Sequence, residues 1–288
     1  MMVEYSLIHQ PDSRNGTLSS LYFSYTDTQF SECFLFLSIS FMRISIIGYG
    51  VFGKLWADIL APDFEVVVTG GTNHEERAKM NGHKSVSRDE ALLSDVIFYS
   101  VPISLFESVI EEDVQLIEKT GNYPLIIDLL SVKVHPEKVF QKYLPKNIPT
   151  LLMHPMFGPE SVGKNGGLHG LNLVLCGGTA PSEVYDFWKG YFLQKLLVLH
   201  EMGADEHDQY AAKTQAVTHY TAQLLNRYGV EHSPIDTASA RDLIQVVHSL
   251  RSDGGRLFRD MMTYNPYAPE LLESLHILSD EIYREYAK

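Results

Sequence analysis

An imidazole and a carboxylate lie close together in His154-Pro155-Met156-Phe157-Gly158-Pro159-Glu160-Ser161, with two prolines between them. A histidine titrates near neutral pH, so in its neutral form it is suited to take a proton from a reacting group. The octet follows the apolar run Leu151-Leu152-Met153, which reads as a buried strand, and leads into Gly163-Lys164-Asn165-Gly166-Gly167. A residue before proline is pushed to extended geometry. His154 and Phe157-Gly158 are therefore expected on a stiff, non-helical loop at the carboxyl end of a strand, where open α/β sheets place their chemistry. We read His154 as a general base; the competing reading is a turn that carries a surface histidine.

A second group offers that base a reaction partner. Gly48-Tyr49-Gly50-Val51-Phe52-Gly53 has the spacing G-x-G-x-x-G. It directly follows the run Arg43-Ile44-Ser45-Ile46-Ile47 and precedes a helix-compatible segment, Lys54 to Leu60. A strand, this spacing and a helix together make the dinucleotide fingerprint. Gly48 allows the tight turn, Gly50 lets a pyrophosphate approach the backbone, and Gly53 lets the helix pack on the strand. Val51 and Phe52 open the helix, whose free N–H groups suit phosphate. Ser100 and Pro102, where a later strand enters its loop, are expected to line the same cofactor. A purely structural glycine turn is the alternative.

The second strand, Phe64 to Val68, runs into Thr69-Gly70-Gly71-Thr72-Asn73-His74, with no carboxylate before Glu75. An acid at that strand end would hold the ribose hydroxyls of NAD. Its absence removes repulsion against a 2′-phosphate, and Thr72, Asn73 and Arg77 could contact one. This leans toward NADP over NAD, or toward use of both.

Further strands are expected at Asp95 to Val101, Leu125 to Leu130, Leu171 to Cys176 and Lys195 to Leu199, with helices at Ile103 to Ile117 and Pro181 to Tyr191. Alternating strands and helices predict a Rossmann-type, doubly wound, mostly parallel sheet. Right-handed crossovers would bring the strands' carboxyl ends to one edge, with Ser131 and His154 facing the nicotinamide end of a bound dinucleotide. After about residue 203 the strand patterns stop. A helix starting on Asp205 as N-cap should run to Tyr228, followed by helices at 238–251, 255–264 and 269–287. The division expected is a dinucleotide-binding domain at 42–202 and an all-helical C-terminal domain at 203–288, which carries substrate contacts and dimerisation. So small a helical domain buries little core of its own, which favours docking on the first domain or on a second copy.

The net charge of −13 argues against a nucleic-acid partner. The only two cysteines, Cys33 and Cys176, suit a reducing compartment and no disulfide framework. No apolar run reaches the roughly 18 residues of a membrane span. Residues 1–41 hold one basic residue, Arg14, and make a poor targeting signal. They are expected to be poorly ordered or to precede the true start at Met42, and the location expected is cytoplasmic, or plastid in a plant-like source.

With these motifs placed, the chain resembles the prephenate/arogenate dehydrogenase family of tyrosine biosynthesis, and most of all the plant-type arogenate dehydrogenases. Close counterparts exist there of Leu129-Leu130-Ser131-Val132-Lys133, of the His154 octet, of Glu206-His207-Asp208, of Ser233-Pro234-Ile235-Asp236-Thr237 and of Tyr264-Asn265-Pro266. The resemblance implies an NAD(P)-dependent oxidative decarboxylation of prephenate or arogenate in a homodimer. It implies that His154 is the catalytic base and that Ser131 bonds the histidine or the substrate hydroxyl. It also implies that His219 is a second active-site histidine and that Glu160 lines the pocket. His219 could equally be a polar residue inside a helix interface, and Glu160 a solvated one. Val162 stands as an extra residue against the plant-type pattern, which shifts Lys164, a further substrate contact. A dicarboxylate needs a cation, and Arg251 is the candidate, with Arg256 nearby.

Two other functions compete. A hydroxyacid dehydrogenase of similar shape would pair a lysine with an asparagine one turn on, but Lys213 is followed by Val217. A non-catalytic nucleotide sensor would need neither Ser131 nor His154. No metal is expected, because His200, His207 and His219 match no standard ligand spacing.

Overall fold

The computed structural model describes residues 42–250 and 255–287. The expectations for residues 1–41 and for Arg251 lie outside the described residues.

β1 (Arg43–Ile47) turns through the glycine fingerprint into α1 (Val51–Leu60). β2 (Glu65–Thr69), α2 (His74–Met80), the short β3 (Lys84–Ser85) and α3 (Arg88–Ala91) follow. β4 (Val96–Tyr99), α4 (Ile103–Thr120), β5 (Leu125–Asp128), α5 (Val134–Tyr143) and β6 (Thr150–Pro155) repeat the alternation. α6 (Pro159–Asn165), β7 (Asn172–Gly178), α7 (Ser182–Gln194) and β8 (Val198–Glu201) finish the sheet. From Ala204 every described element is helical. These are α8 (Ala204–Ala211), a π-helical turn at Ala212–Ala216, α9 (Val217–Tyr228), α10 (Ala238–Ser249), α11 (Arg256–Tyr264) and α12 (Ala268–Tyr286). The first of these helices is capped by Gly203, not by Asp205. Asp205 sits in the first turn, where its carboxylate accepts from Gln209 and from the Tyr267 hydroxyl instead.

The sheet has the order β3-β2-β1-β4-β5-β6-β7-β8. The first six strands are parallel, in the order of a dinucleotide-binding sheet. β7 is antiparallel to β6, and β8 is parallel to β7. One shared edge of carboxyl ends therefore holds for β1 to β6 and not for the last two strands. The β6–β7 connection carries only the seven-residue α6. β7 comes back beside β6 in the opposite direction.

Side chains alternate across each strand, which gives the sheet two packed faces. Ile44 and Ile46 of β1, Phe98 of β4 and Met153 of β6 meet Trp56 of α1 and Trp188 and Phe192 of α7 on one face. Ile47, Ile97, Tyr99, Ile126 and Leu152 meet Phe106 and Ile110 of α4 and Phe140 of α5 on the other. Met261 of α11 joins that second face, so part of the helical region packs directly on α4 and the sheet.

Among these apolar groups lies a buried ion pair. Asp128 ends β5, Lys133 lies on the loop after it, and both side chains have 0% exposure. Burial pushes the Asp128 carboxyl up, against the pull of Lys133. Lys133 Nζ also donates to the Met153 carbonyl at 2.5 Å, and the Met153 N–H donates to Asp128 at 3.3 Å. Both polar groups of the Met153 backbone are thus tied to the pair. Breaking a buried pair by removing one partner costs about 3–5 kcal/mol, whereas replacing both by apolar groups can be neutral. Lys133→Met should therefore lose about that much stability in urea unfolding. The double change with Asp128→Leu should recover most of it, and a single variant as stable as the parent would show that the pair does not hold β6.

Candidate active site

Leu152 packs under α4 and α5, so His154, two residues on, lies on that same side of β6. α8 packs against α5 and β7 there. It brings His207 to His154, with His154 Nδ1 and His207 Nε2 2.8 Å apart. His207 Nδ1 is in turn 2.8 Å from Asp208 Oδ1. The Asp208 carboxylate also accepts the backbone N–H groups of Lys133 at 2.7 Å and Val134 at 2.9 Å. These N–H groups start α5, which has no side-chain cap of its own. An acid from another helix thus closes the N-terminus of α5, where negative charge is favoured. His154, His207 and Asp208 are all buried.

His154 remains inside β6, not on the loop beyond it, and Pro155 is the last residue of the strand. Pairing with β7 extends the strand through this point, and the Met156 N–H bonds the Asn172 carbonyl just past it. Burial pushes the His154 pKa well down, and the neighbouring His207 and Lys133 act in the same direction. The neutral, proton-accepting form is the one this site favours. Among the described residues the Nδ1 partner is His207, and Nε2 makes no hydrogen bond. Ser131 is half-buried on the loop after β5 and makes no side-chain hydrogen bond among the described residues. Of the two bonds expected of Ser131, to the histidine or to a substrate hydroxyl, the histidine bond is made by His207. Glu206-His207-Asp208 is one of the motifs shared with the family, and its place in the sequence does not reveal this contact. The available signal was a buried-type His-Asp pair at a helix start.

The glycine fingerprint fits a dinucleotide. Gly48 has φ +107°, and a Cβ there would lie 2.3 Å from the Ser100 carbonyl oxygen. A Cβ on Gly53 would lie 2.1 Å from the Gly48 carbonyl oxygen. At Gly50 nothing lies within 4 Å of a Cβ position, which leaves an open cradle. α1 starts here without a side-chain cap, so the N–H groups of Val51 and Phe52 have no intrahelical acceptor. Ser100 packs against Gly48, and Pro102 begins α4. Beyond β2 a hollow of about 480 Å³ is lined by Gly70 to Glu76, including Thr72.

A second cleft, of about 260 Å³, is lined by residues that include Lys164 of α6, His219 and Thr218 of α9, and Gln245 and Ser249 of α10. Phe157 and Gly158 lie on non-helical backbone, as expected, and a helix starts at Pro159. Proline at its first position is preset for helical φ and needs no N–H partner. The helix sets Glu160 and Lys164 one turn apart, 2.7 Å from each other. Glu160 also accepts from the Ser249 hydroxyl at 2.7 Å, bridging α6 to α10. His219 is buried at this cleft. The structure therefore forms two groups, His154 with His207 and Asp208, and Glu160 and Lys164 with His219. The α8–α9 rod links them, with roughly 18 Å of helix between His207 and His219. Lys213, the lysine of the hydroxyacid alternative, is exposed on the π-helical turn.

Residues 63–176 match the family described as prephenate dehydrogenase, nucleotide-binding domain. The chain is 32% identical over 255 residues to arogenate dehydrogenase 2, chloroplastic, of Arabidopsis thaliana, covering 85% of this chain and 70% of that protein. The chain belongs to the prephenate/arogenate dehydrogenase family. Arogenate dehydrogenase 1, chloroplastic, of the same plant is 30% identical over 84% of this chain, which spans 38% of that longer protein. Among solved structures, prephenate dehydrogenase from A. aeolicus in complex with hydroxyphenyl propionate and NAD+ has the same fold, with a TM-score of 0.62 at 17% identity. That likeness covers 87% of this chain and 94% of that one. This member of the family thus has the expected sheet and helical region, and the family match includes both Ser131 and His154.

The buried histidine links the site to stability. The His154 pKa lies below its ordinary 6.5 in the folded chain. In the pH window between those values the unfolded chain binds a proton that the folded chain does not, so stability rises with pH there. It is lost as pH falls below about 6.5, and burial of His83 and His135 adds in the same sense. His154→Asn should make the loss of stability between about pH 7 and pH 5 shallower in denaturant titrations. An unchanged slope would mean that His154 titrates normally.

Proposed function

We propose that this chain carries out the NAD(P)-dependent oxidative decarboxylation of prephenate or arogenate in tyrosine biosynthesis, with His154 as general base. The observation that supports it most is the buried, neutral His154 at the carboxyl end of β6, on the same sheet edge as the glycine cradle at Gly48 to Gly53. The nicotinamide, when bound, accepts a hydride. His154 Nε2 takes the proton from the ring 4-hydroxyl, and loss of the ring carboxylate as carbon dioxide aromatises the ring. Ser131, free of other side-chain bonds among the described residues, orients that hydroxyl. Lys164, held by Glu160, and Arg251 supply positive charge for carboxylate groups, and His219 lines the substrate cleft. Burial of His154, with His207 and Lys133 acting in the same direction, keeps its neutral form available at working pH.

The helical region also supports the reading of a homodimer. Ile277, Leu278, Ile282, Tyr283 and Tyr286 of α12 are each at least half exposed. A cluster of large apolar side chains on one helix marks a surface that a partner covers.

His154→Asn should lower kcat by about 10²- to 10⁴-fold, the usual worth of a general base, with cofactor binding retained. An assay of prephenate and arogenate, each with NAD and NADP, checks the reaction. Turnover of neither substrate would reject the function, and near-normal turnover by the variant would reject the base.

NADP is the favoured cofactor, because the segment Thr69 to His74 at the end of β2 carries no carboxylate. Gly71 is the site at which to test it. A side chain there meets open space, whereas a Cβ on Gly70 would lie 2.9 Å from the Tyr49 nitrogen. Gly71→Asp should shift preference toward NAD by about tenfold, the effect of roughly 1.4 kcal/mol. An unchanged ratio of kcat/KM for the two cofactors would count against the assignment.

A further inference from the structure

We propose that His154 acts as the outer member of a relay. In it His207, a positioning residue from the helical region, fixes the tautomer of His154 and takes its second proton during the reaction, and Asp208 balances the resulting charge. The proposal rests on the reading of His154 as the base and adds a part to it.

The hydrogen bonds fix the order of donors and acceptors. Asp208 receives the N–H groups of Lys133 and Val134, both donors by nature. A carboxylate has only acceptors to offer, so the hydrogen in its 2.8 Å bond to His207 sits on His207 Nδ1. A neutral His207 then presents a lone pair on Nε2. That nitrogen lies 2.8 Å from His154 Nδ1, which must carry the hydrogen between them. His154 is left with its lone pair on Nε2, the nitrogen without a partner among the described residues. The tautomer that a base needs is thus selected two bonds away, by Asp208.

The same bonds give the abstracted proton a destination. When the substrate proton arrives at His154 Nε2, the hydrogen on Nδ1 can move to His207 Nε2. His154 is then neutral again, with its hydrogen on Nε2, and the positive charge rests on His207 against Asp208. The reverse transfer returns the hydrogen to His154 Nδ1, and the Nε2 proton passes to the phenolate oxygen of the aromatised product, which resets the site.

The surroundings favour that placement of charge. Titratable groups around the dyad include Asp208 of α8, Lys133 on the loop before α5, Asp128 of β5 paired with Lys133, His135 and Glu137 of α5, and Cys176 of β7. Lys133 opposes a cation on His154 and already takes up Asp128. Asp208 is the carboxylate in direct contact with the dyad, and it touches His207, not His154.

Two measurements test the relay. In the full chain labelled with ¹⁵N-histidine, ring-nitrogen shifts at neutral pH should show hydrogen on Nδ1 of both His154 and His207, assigned with the His154→Asn and His207→Gln variants. Hydrogen on Nε2 of His154 in the resting protein would overturn the proposal. This readout does not depend on substrate, so it stands apart from failure of the functional assay.

The second measurement is the pH profile of His207→Gln. A glutamine oxygen can accept the His154 Nδ1 hydrogen but cannot accept the proton. kcat should fall about 10- to 100-fold, within the range for proton-transfer groups, with KM little changed. The acidic limb of kcat/KM should also move to lower pH, because His154 must then hold the charge alone in its buried site. A lower kcat with the limb unmoved would reduce His207 to a structural support and reject the relay.

Discussion

Asp208 is the point at which the helical region and the sheet become one site. Its carboxylate accepts the two backbone N–H groups at the start of α5 and the imidazole of the neighbouring His207. Burial makes each of these bonds matter more than it would in water, because a group left unpaired in the interior costs its full desolvation energy. The acid therefore satisfies two N–H groups of α5, anchors α8 on the sheet, and orients the histidine that meets His154. A shift of α8 would disturb all three at once.

The second constraint lies beneath it. Asp128 and Lys133 fill a polar site between β5 and β6 and hold both backbone groups of Met153. His154 is the next residue, so its position depends on a strand pinned from below and on a histidine bonded from the side. Lys133 belongs to both arrangements, since its side chain serves the ion pair and its backbone N–H serves Asp208. His154 is accordingly held from below by the strand that the ion pair pins and from the side by His207.

On the cofactor side the governing forces are steric. Gly48 and Gly53 are needed because backbone oxygens occupy the places where side chains would go, while Gly50 opens on empty space. At the cleft between α6, α9 and α10, polar contacts bridge the two regions. Glu160 joins Lys164 on its own helix and Ser249 on α10. Lys164 holds the Glu160 carboxyl below its ordinary range, with Ser249 assisting, which keeps it ionised at the mouth of the cleft.

Local patterns made much of this legible in advance. The run Arg43 to Ile47, the spacing of Gly48, Gly50 and Gly53, and the loss of strand patterns after about residue 203 depend on neighbouring residues only. Their physics, periodicity and glycine sterics, can be read along the chain. The carboxyl-end position of His154 followed from the apolar run before it. Other features depend on contacts between distant segments and could not be read that way. His154 stays in a strand because β7 pairs with it, β7 returns antiparallel to β6, and the side chain that bonds His154 is His207 and not Ser131. Such pairings are set by how α8 packs on the sheet, and no spacing within the chain encodes that packing. The residue types thus pointed to His154, whereas the docking of one helix decided which side chain meets its Nδ1.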